Sequence, residues 1–208
     1  MKISQQNSNK KKSLILLMVK KIVSSDGWSS DIIKKLIEAG VKSTDLTFFF
    51  KNDYKKILEF SLKELNQINE NRIKKINIIN LPLNKRIKKI LMMRINIINE
   101  DKDFYKKTFY HLMLPQNLKI LKANLYRSVD NMWYIAGDNS TDFNFYTKRL
   151  ILSGVYTNAL FVFFSKEMKY VEENIDKNLK RISKIPKIKE RISFIKDNAP
   201  KFLKSFLA

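Results

Sequence analysis

The sequence predicts an all-α protein of nine to ten helices, and three observations carry that prediction. Only four glycines and four prolines punctuate 208 residues, so breaks are few and the segments between them are long. Periodic apolar residues recur at spacings of three and four, as on one buried helical face. No stretch sustains the apolar–polar alternation that a half-buried strand requires. Hydrophobic residues make up 44% of the chain, which excludes a disordered polymer. The length suffices for one substantial domain, or a small domain with an appendage.

The elements follow in order. Residues 1–11 are polar and basic and read as a solvated tail. A first helix is expected from Lys12 to Ser24, stopped by Ser25, Asp26 and Gly27. Ser29, Ser30 and Asp31 offer an N-cap to a second helix that ends at Gly40, a residue suited to the left-handed position after a helix. Ser43 or Thr44 caps a short third helix through Phe50, and Asp53 caps a fourth that runs towards Asn80. Pro82 and Pro115 fit the first turns of later helices, with a break at Asn99, Glu100 and Asp101 between them. From Gln116, the residues Leu118, Leu121, Leu125, Val129, Met132 and Ala136 line one face until Gly137 stops the helix. Asp138 to Thr141 then turn the chain into a helix from Asp142 to Ser165. That helix is apolar on nearly all sides towards its end and is expected to be the central core helix. Val171, Ile175, Leu179 and Ile182 stripe the next one.

Charge and composition narrow the function. The net charge is +21, yet only seven of the 41 basic residues are arginine. A surface built to grip phosphates in bidentate fashion would use more guanidinium. The lysine excess fits a compositional bias of the source genome as well as it fits an attraction to nucleic acid or acidic lipid. Without cysteine there is no disulfide framework and no thiolate metal site. The longest apolar runs, Leu14 to Val19 and Ala159 to Phe164, are six residues, against the ~20 a bilayer requires. The apolar run after the basic start lacks a small-residue cleavage site, so no secretory signal is expected. Any membrane contact is therefore expected to be peripheral.

Candidate catalytic groups are few. His111 is the only histidine and sits at helical spacing among leucines, the place of a structural residue. No zinc site, no Glu-x-x-His pair and no glycine-rich phosphate loop is present. Asp138 and Asp142 flank Ser140 and Thr141, where capping and turn hydrogen bonds explain them better than acid–base work. The expectation is a non-enzymatic protein without a metal or cofactor.

The first helices have the order of a TetR-type helix-turn-helix: helix, Gly27 turn, helix, Gly40 turn, short helix, long helix. Phosphate contacts supply most of the affinity for DNA. From Trp28 to Lys56, however, six lysines face four acids, and the short reading helix from Ser43 to Phe50 has an acid and no base. The positive charge lies elsewhere, with eight basic residues and no acid from Arg72 to Arg94 and six with none from Lys2 to Lys21. Solvated helix faces and a tail account for these runs as well as an attraction to anions does. A TetR-like DNA-binding regulator remains the alternative reading.

The segment from Asp130 to Tyr156 departs from the lysine, isoleucine and asparagine texture of the rest. On a helix, Asp142, Phe145, Tyr146 and Arg149 fall three and four apart and share one side. Arg149 is then either a cation presented to a phosphate or carboxylate, or part of a structural network with Asp142. The run Gly137, Asp138, Ser140, Thr141, Asp142, Phe143, Asn144, Tyr146, Thr147, Lys148, Arg149 resembles the signature of the Coq9 family, lipid-binding accessory proteins of ubiquinone biosynthesis with a TetR-like fold. Trp133 upstream, Gly154, Val155 and Tyr156 downstream, and Gly27 with Trp28 also match the pattern. Position 145, commonly Trp in that family, is Phe here, which keeps the aromatic face and loses the indole donor.

The resemblance implies a homodimer that binds isoprenoid quinone intermediates or phospholipid and docks the di-iron demethoxyubiquinone hydroxylase. Asp142, Phe145 and Tyr146 are the docking candidates. Arg149 is the head-group candidate, with Leu152, Tyr156, Leu160 and Phe163 lining an apolar lumen, although ordinary core packing explains those four equally well. After Pro186, the apolar residues Ile188, Ile192, Ile195, Ala199, Phe202 and Phe206 oppose lysines on an amphipathic basic helix, suited either to a membrane interface or to docking on its own core. Pro200 kinks or restarts it. Family members carry a membrane-binding helix there, which favours an anionic membrane surface.

Together these expectations divide the chain into a basic tail (1–11), a helix-turn-helix-like region (12–56), a lipid-binding and dimerisation domain (57–185) and a membrane helix (186–208). The location expected is peripheral, on the cytoplasmic face of a bacterial inner membrane or, in a eukaryote, on the matrix side of the mitochondrial inner membrane.

Overall fold

The computed structural model describes residues 2–138 and 143–183, with side chains over 7–138 and 145–180. Among the described residues there are nine α-helices, one short 3-10 turn and no strand, so the all-α expectation holds. The helices are α1 (Lys2–Asp26), α2 (Ile32–Glu38), α3 (Ser43–Phe50), α4 (Tyr54–Lys74), α5 (Leu83–Glu100), α6 (Lys102–Leu112), α7 (Leu118–Ile135), α8 (Phe143–Ser165) and α9 (Met168–Ser183). This is consistent with a TetR-like helical bundle.

Local chemistry explains most of the boundaries. Gly40 and Gly137, at φ +92 and +82, each close a helix with the same pair of bonds. Val41 N–H donates to the Leu36 carbonyl and Gly40 N–H to that of Ile37, both at 2.9 Å. Asp138 N–H donates to Trp133 and Gly137 N–H to Tyr134, both at 3.0 Å. These are Schellman closures, which need a left-handed residue that glycine supplies without steric cost. Asp53 caps α4 by accepting the Lys55 N–H at 2.8 Å, and Pro115 opens the 3-10 turn, as expected.

Three boundaries and the burial of one face differ from expectation. The first helix starts at Lys2 rather than Lys12, because no Gly or Pro interrupts the polar stretch and Lys11 is tied to Asp45 at 2.9 Å. Ser43 and Thr44 are helical residues rather than caps, and Lys42 occupies the cap with no side-chain bond. The fourth helix stops at Lys74, before Asn80. The face of α7 is buried only from its middle onwards: Leu118 is 41% exposed, whereas Val129, Met132 and Ala136 are buried. Periodicity marks a face but not the length of chain that covers it.

The chain folds as two compact units, residues 1–65 with 98–120 and residues 66–97 with 121–208. The first unit buries Val19 and Val23 of α1, Ile32 and Leu36 of α2, Leu46 and Phe50 of α3, and Phe104 of α6. Each such side chain contributes about 1.5–3 kcal/mol when fully buried. Trp28 anchors this core: its ring tilts against Phe104 with centroids 5.9 Å apart, and its indole N–H donates to Thr108 Oγ1 at 2.8 Å. His111 lies beside Trp28 and Tyr54, as a structural residue would. Burial, and secondarily the charge of Lys55, holds its pKa below the usual imidazole value. The second unit buries Ile87, Ile90, Leu91 and Ile95 of α5, Val129 and Met132 of α7, Leu152, Ala159 and Phe163 of α8, and Val171 and Ile175 of α9.

Candidate functional site

The described parts of the distinctive segment are the end of α7, through Asp138, and the first half of α8. The Schellman closure at Gly137 places Asp138 just beyond α7, where its side chain is only 3% exposed. A buried carboxylate needs partners, and α8 supplies two. Lys148 Nζ lies 2.6 Å from Asp138 Oδ1, and Arg149 Nη1 lies 3.4 Å from Oδ2. Arg149 Nε donates to Asp130 Oδ1 of α7 at 2.6 Å, and Nη1 donates to the Phe145 carbonyl at 3.0 Å. The guanidinium carbon lies 3.2 Å from the centroid of the Phe145 ring, a close cation–π contact.

Arg149 is therefore not a free cation awaiting a head group. Its side chain is 6% exposed, and two carboxylates of the same unit already balance its charge. Asp142, which spacing pairs with Arg149, lies outside the described residues. The partners among the described residues are Asp130 and Asp138, one on the preceding helix and one in the turn. Both precede Arg149 by more than two helical turns of sequence, which helix spacing alone does not pair.

Phe145 and Tyr146 meet edge to face, with centroids 5.1 Å apart. Tyr146 is 44% exposed and Phe145 is half-buried, so this aromatic pair reaches the surface as expected. Tyr126, not singled out in the sequence, belongs to the same patch. Burial first, and then the charge of Asp130, raises the pKa of its phenol, with a smaller contribution from Tyr146. Its position one turn before Asp130 was the available signal. Tyr134, also on α7, is exposed as well.

Leu152, Tyr156, Leu160 and Phe163, spaced four, four and three apart, lie on one face of α8, and all four are buried. The opposite face is not uniformly covered: Leu150 and Phe161 are exposed, so α8 is less completely buried than its composition suggests. Tyr156 leads to a residue that sequence reasoning missed. Its hydroxyl accepts a 2.7 Å hydrogen bond from Arg94 Nε of α5. Arg94 Nη1 also donates to Asn66 Oδ1 of α4 at 2.7 Å, and Nη2 donates to Ser128 Oγ of α7 at 3.0 Å. Arg94 is 1% exposed. Its signal was a lone arginine in an apolar run, between Met92, Met93 and Ile95.

The basic run from Arg72 to Arg94 is divided: Lys74, Lys75, Lys85 and Lys89 are exposed, whereas Arg86, Lys88 and Arg94 are engaged by the fold. Arg86 donates to the carbonyls of Leu81, at 2.7 Å, and Ala136, at 3.0 Å, capping the end of α7 with positive charge. Lys88 sits between Glu172 and Asp176 of α9, at 2.9 and 2.7 Å, and their hydrogen bonds raise its pKa. Lys74 pairs with Glu70. On α3, the position of a repressor's reading helix, Thr44, Thr47 and Phe48 are exposed, and Asp45 faces Lys11.

Among the described residues, no group of three or more metal-ligating side chains is assembled, and no helix is long and apolar enough to cross a membrane. The membrane candidates Ile188, Ile192, Ile195, Phe202 and Phe206 lie outside the described residues.

Comparison with known proteins converges on one family. Residues 119–187, which hold the turn, its aromatic patch and all of α8, match the COQ9 family model. The rat ubiquinone biosynthesis protein COQ9, mitochondrial, is 28% identical over 152 residues, covering 70% of this chain and 49% of the relative. The human protein of the same name is 27% identical over 152 residues, covering 70% and 48%. A probable ubiquinone biosynthesis protein coq9, mitochondrial, from Dictyostelium discoideum is 25% identical over 181 residues, covering 78% and 57%. The chain thus spans about half the length of the curated relatives it matches. The matched segment coincides with the end of α7 and with α8, so it is over this part of the chain that the likeness to the COQ9 family model lies.

Proposed function

We propose that this protein serves ubiquinone biosynthesis as a non-enzymatic, peripheral membrane protein. In this reading it binds isoprenoid quinone intermediates and presents them to the di-iron demethoxyubiquinone hydroxylase. The observation that carries the reading is the composition of α8 within the family-matched segment. One face of that helix is a continuous apolar row, Leu152, Tyr156, Leu160 and Phe163, and its first turns carry Tyr146 into solvent beside Phe145. An isoprenoid tail cannot cross water cheaply. An all-helical shell that parts along such a row offers it a dry route, and an exposed aromatic pair is the kind of anchor that a partner protein covers.

The location proposed is the matrix side of the mitochondrial inner membrane, supported by the word mitochondrial in the names of the rat, human and Dictyostelium relatives. Contact with the anionic membrane surface is assigned to residues 186–208, and the protein acts as a homodimer.

Mass spectrometry of lipid co-purified with the full chain tests the carrier reading: a prenylated quinone or its precursor is expected, and a lipid-free protein that takes up no prenylated aromatic ends it. Removing residues 187–208 should abolish flotation with anionic liposomes, and undiminished flotation removes the tail's role.

A further inference from the structure

Arg94 carries a full positive charge in the interior of the second unit, and every partner it has among the described residues is neutral. Of the five N–H groups of a guanidinium, three are used, on Tyr156, Asn66 and Ser128. The acceptors are also shared out. Asn66 Oδ1 takes a second bond from the Ser128 hydroxyl at 3.1 Å, and the Tyr156 ring lies 5.1 Å from the guanidinium carbon. One turn further along α4, Asn69 is fully buried, and neither its amide nitrogen nor its oxygen has a hydrogen-bond partner. Among the described residues, the guanidinium has more N–H groups than acceptors bonded to it and no carboxylate partner. Burying such a charge without a counter-ion is costly, and the group that relieves the surplus is one that only accepts.

The geometry points to Arg94, with Tyr156, Ser128 and Asn66, as a buried socket for an acceptor-only oxygen, a ring carbonyl or an oxyanion, on the head group of the lipid. This inference rests on the carrier reading for the tail and on the donor surplus for the head group. Tyr156 joins the two, because its ring belongs to the apolar row of α8 and its hydroxyl to the socket. The head group is thereby assigned to Arg94 rather than to Arg149, whose charge Asp130 and Asp138 already balance.

The test compares binding of four probes to the full chain: a decyl-substituted dimethoxybenzoquinone, decylbenzene, 4-hydroxybenzoate and inorganic phosphate. Calorimetry or native mass spectrometry reads the affinities, and melting temperature reads the fold. The wild type should prefer the benzoquinone to decylbenzene by roughly ten-fold, the scale of one charge-assisted hydrogen bond in a dry site. Arg94→Met should bring that ratio close to one, leave decylbenzene binding unchanged and keep or raise the melting temperature, since an apolar side chain replaces an uncompensated charge. Tyr156→Phe and Ser128→Ala should each lower the ratio less, and they decide the question if Arg94→Met does not fold. A ratio near one in the wild type, or one untouched by these substitutions, overturns the socket and leaves the carrier reading standing. Arg94-dependent binding of 4-hydroxybenzoate or phosphate without uptake of either decyl compound supports the socket and ends the carrier reading. No binding of any probe overturns both.

Discussion

Arg94 and Arg149 lie in the same unit, are buried to nearly the same degree and solve the problem of a buried cation in opposite ways. Arg149 has two carboxylates, a carbonyl and an aromatic face around it, so its charge is spent inside the molecule. It fastens the start of α8 to Asp130 of α7 and to Asp138 just beyond it. Arg94 has an amide, a hydroxyl and a phenol, which accept hydrogen bonds without cancelling charge. His111, in the other unit, shows a third solution. Burial and Lys55 depress its pKa, so it escapes the cost by staying neutral. A guanidinium cannot do that, because it stays protonated at any accessible pH. A buried arginine without a carboxylate therefore marks a place where an acceptor is wanted, and one with two marks a joint.

The contrast breaks most readily at the joint. Arg149→Met should destabilise the fold by about 3 kcal/mol, the low end for removing one partner of a buried pair, because Lys148 still holds Asp138. Urea unfolding measures it, and a loss below 1 kcal/mol would mean that the network is ornamental. The same substitution at Arg94 should cost nothing, which is the sharpest form of the comparison.

Gly137→Ala comes next, at about 1–2 kcal/mol. The backbone there is left-handed at φ +82, and the new Cβ would sit 3.3 Å from Arg86 Nη1. A melting curve no lower than wild type would mean that the closure before the joint relaxes freely.

His111 gives a smaller effect with a definite sign. Its folded pKa is depressed, so the unfolded chain binds the proton more readily. Stability is full above the unfolded value of about 6.5 and is lost as pH falls from there through the folded value. His111→Gln should flatten that decline in denaturant titrations, and an unchanged slope would remove the residue from the account.

Tyr146→Ala is expected to leave stability within about 0.5 kcal/mol of wild type, as at an exposed site, while weakening capture of the demethoxyubiquinone hydroxylase. Unaltered capture removes the docking role.

The comparison also separates what was legible beforehand from what was not. The turn at Gly137, the aromatic pair at 145 and 146 and the apolar row on α8 could be read directly, because each depends on residues a few positions apart. The role of Arg149 could not. Spacing offered Asp142, which lies outside the described residues, and gave no sign of Asp130 and Asp138, the carboxylates that hold it among the described ones. Arg94 was legible only as an oddity in an apolar run, since its partners at positions 66, 128 and 156 come from three other helices.

By itself, the sequence determined the helical class, the stops at Gly40 and Gly137, the cap at Asp53 and the segment that carries the family likeness. These depend on backbone freedom, local hydrogen bonds and residue spacing, all of which act within one or two turns. Only the tertiary structure decided which charges are cancelled, how much of each apolar face is covered and which tyrosines reach solvent. Those outcomes depend on side chains brought together from distant parts of the chain, and Coulomb interaction and burial respond to distance in space rather than distance in sequence.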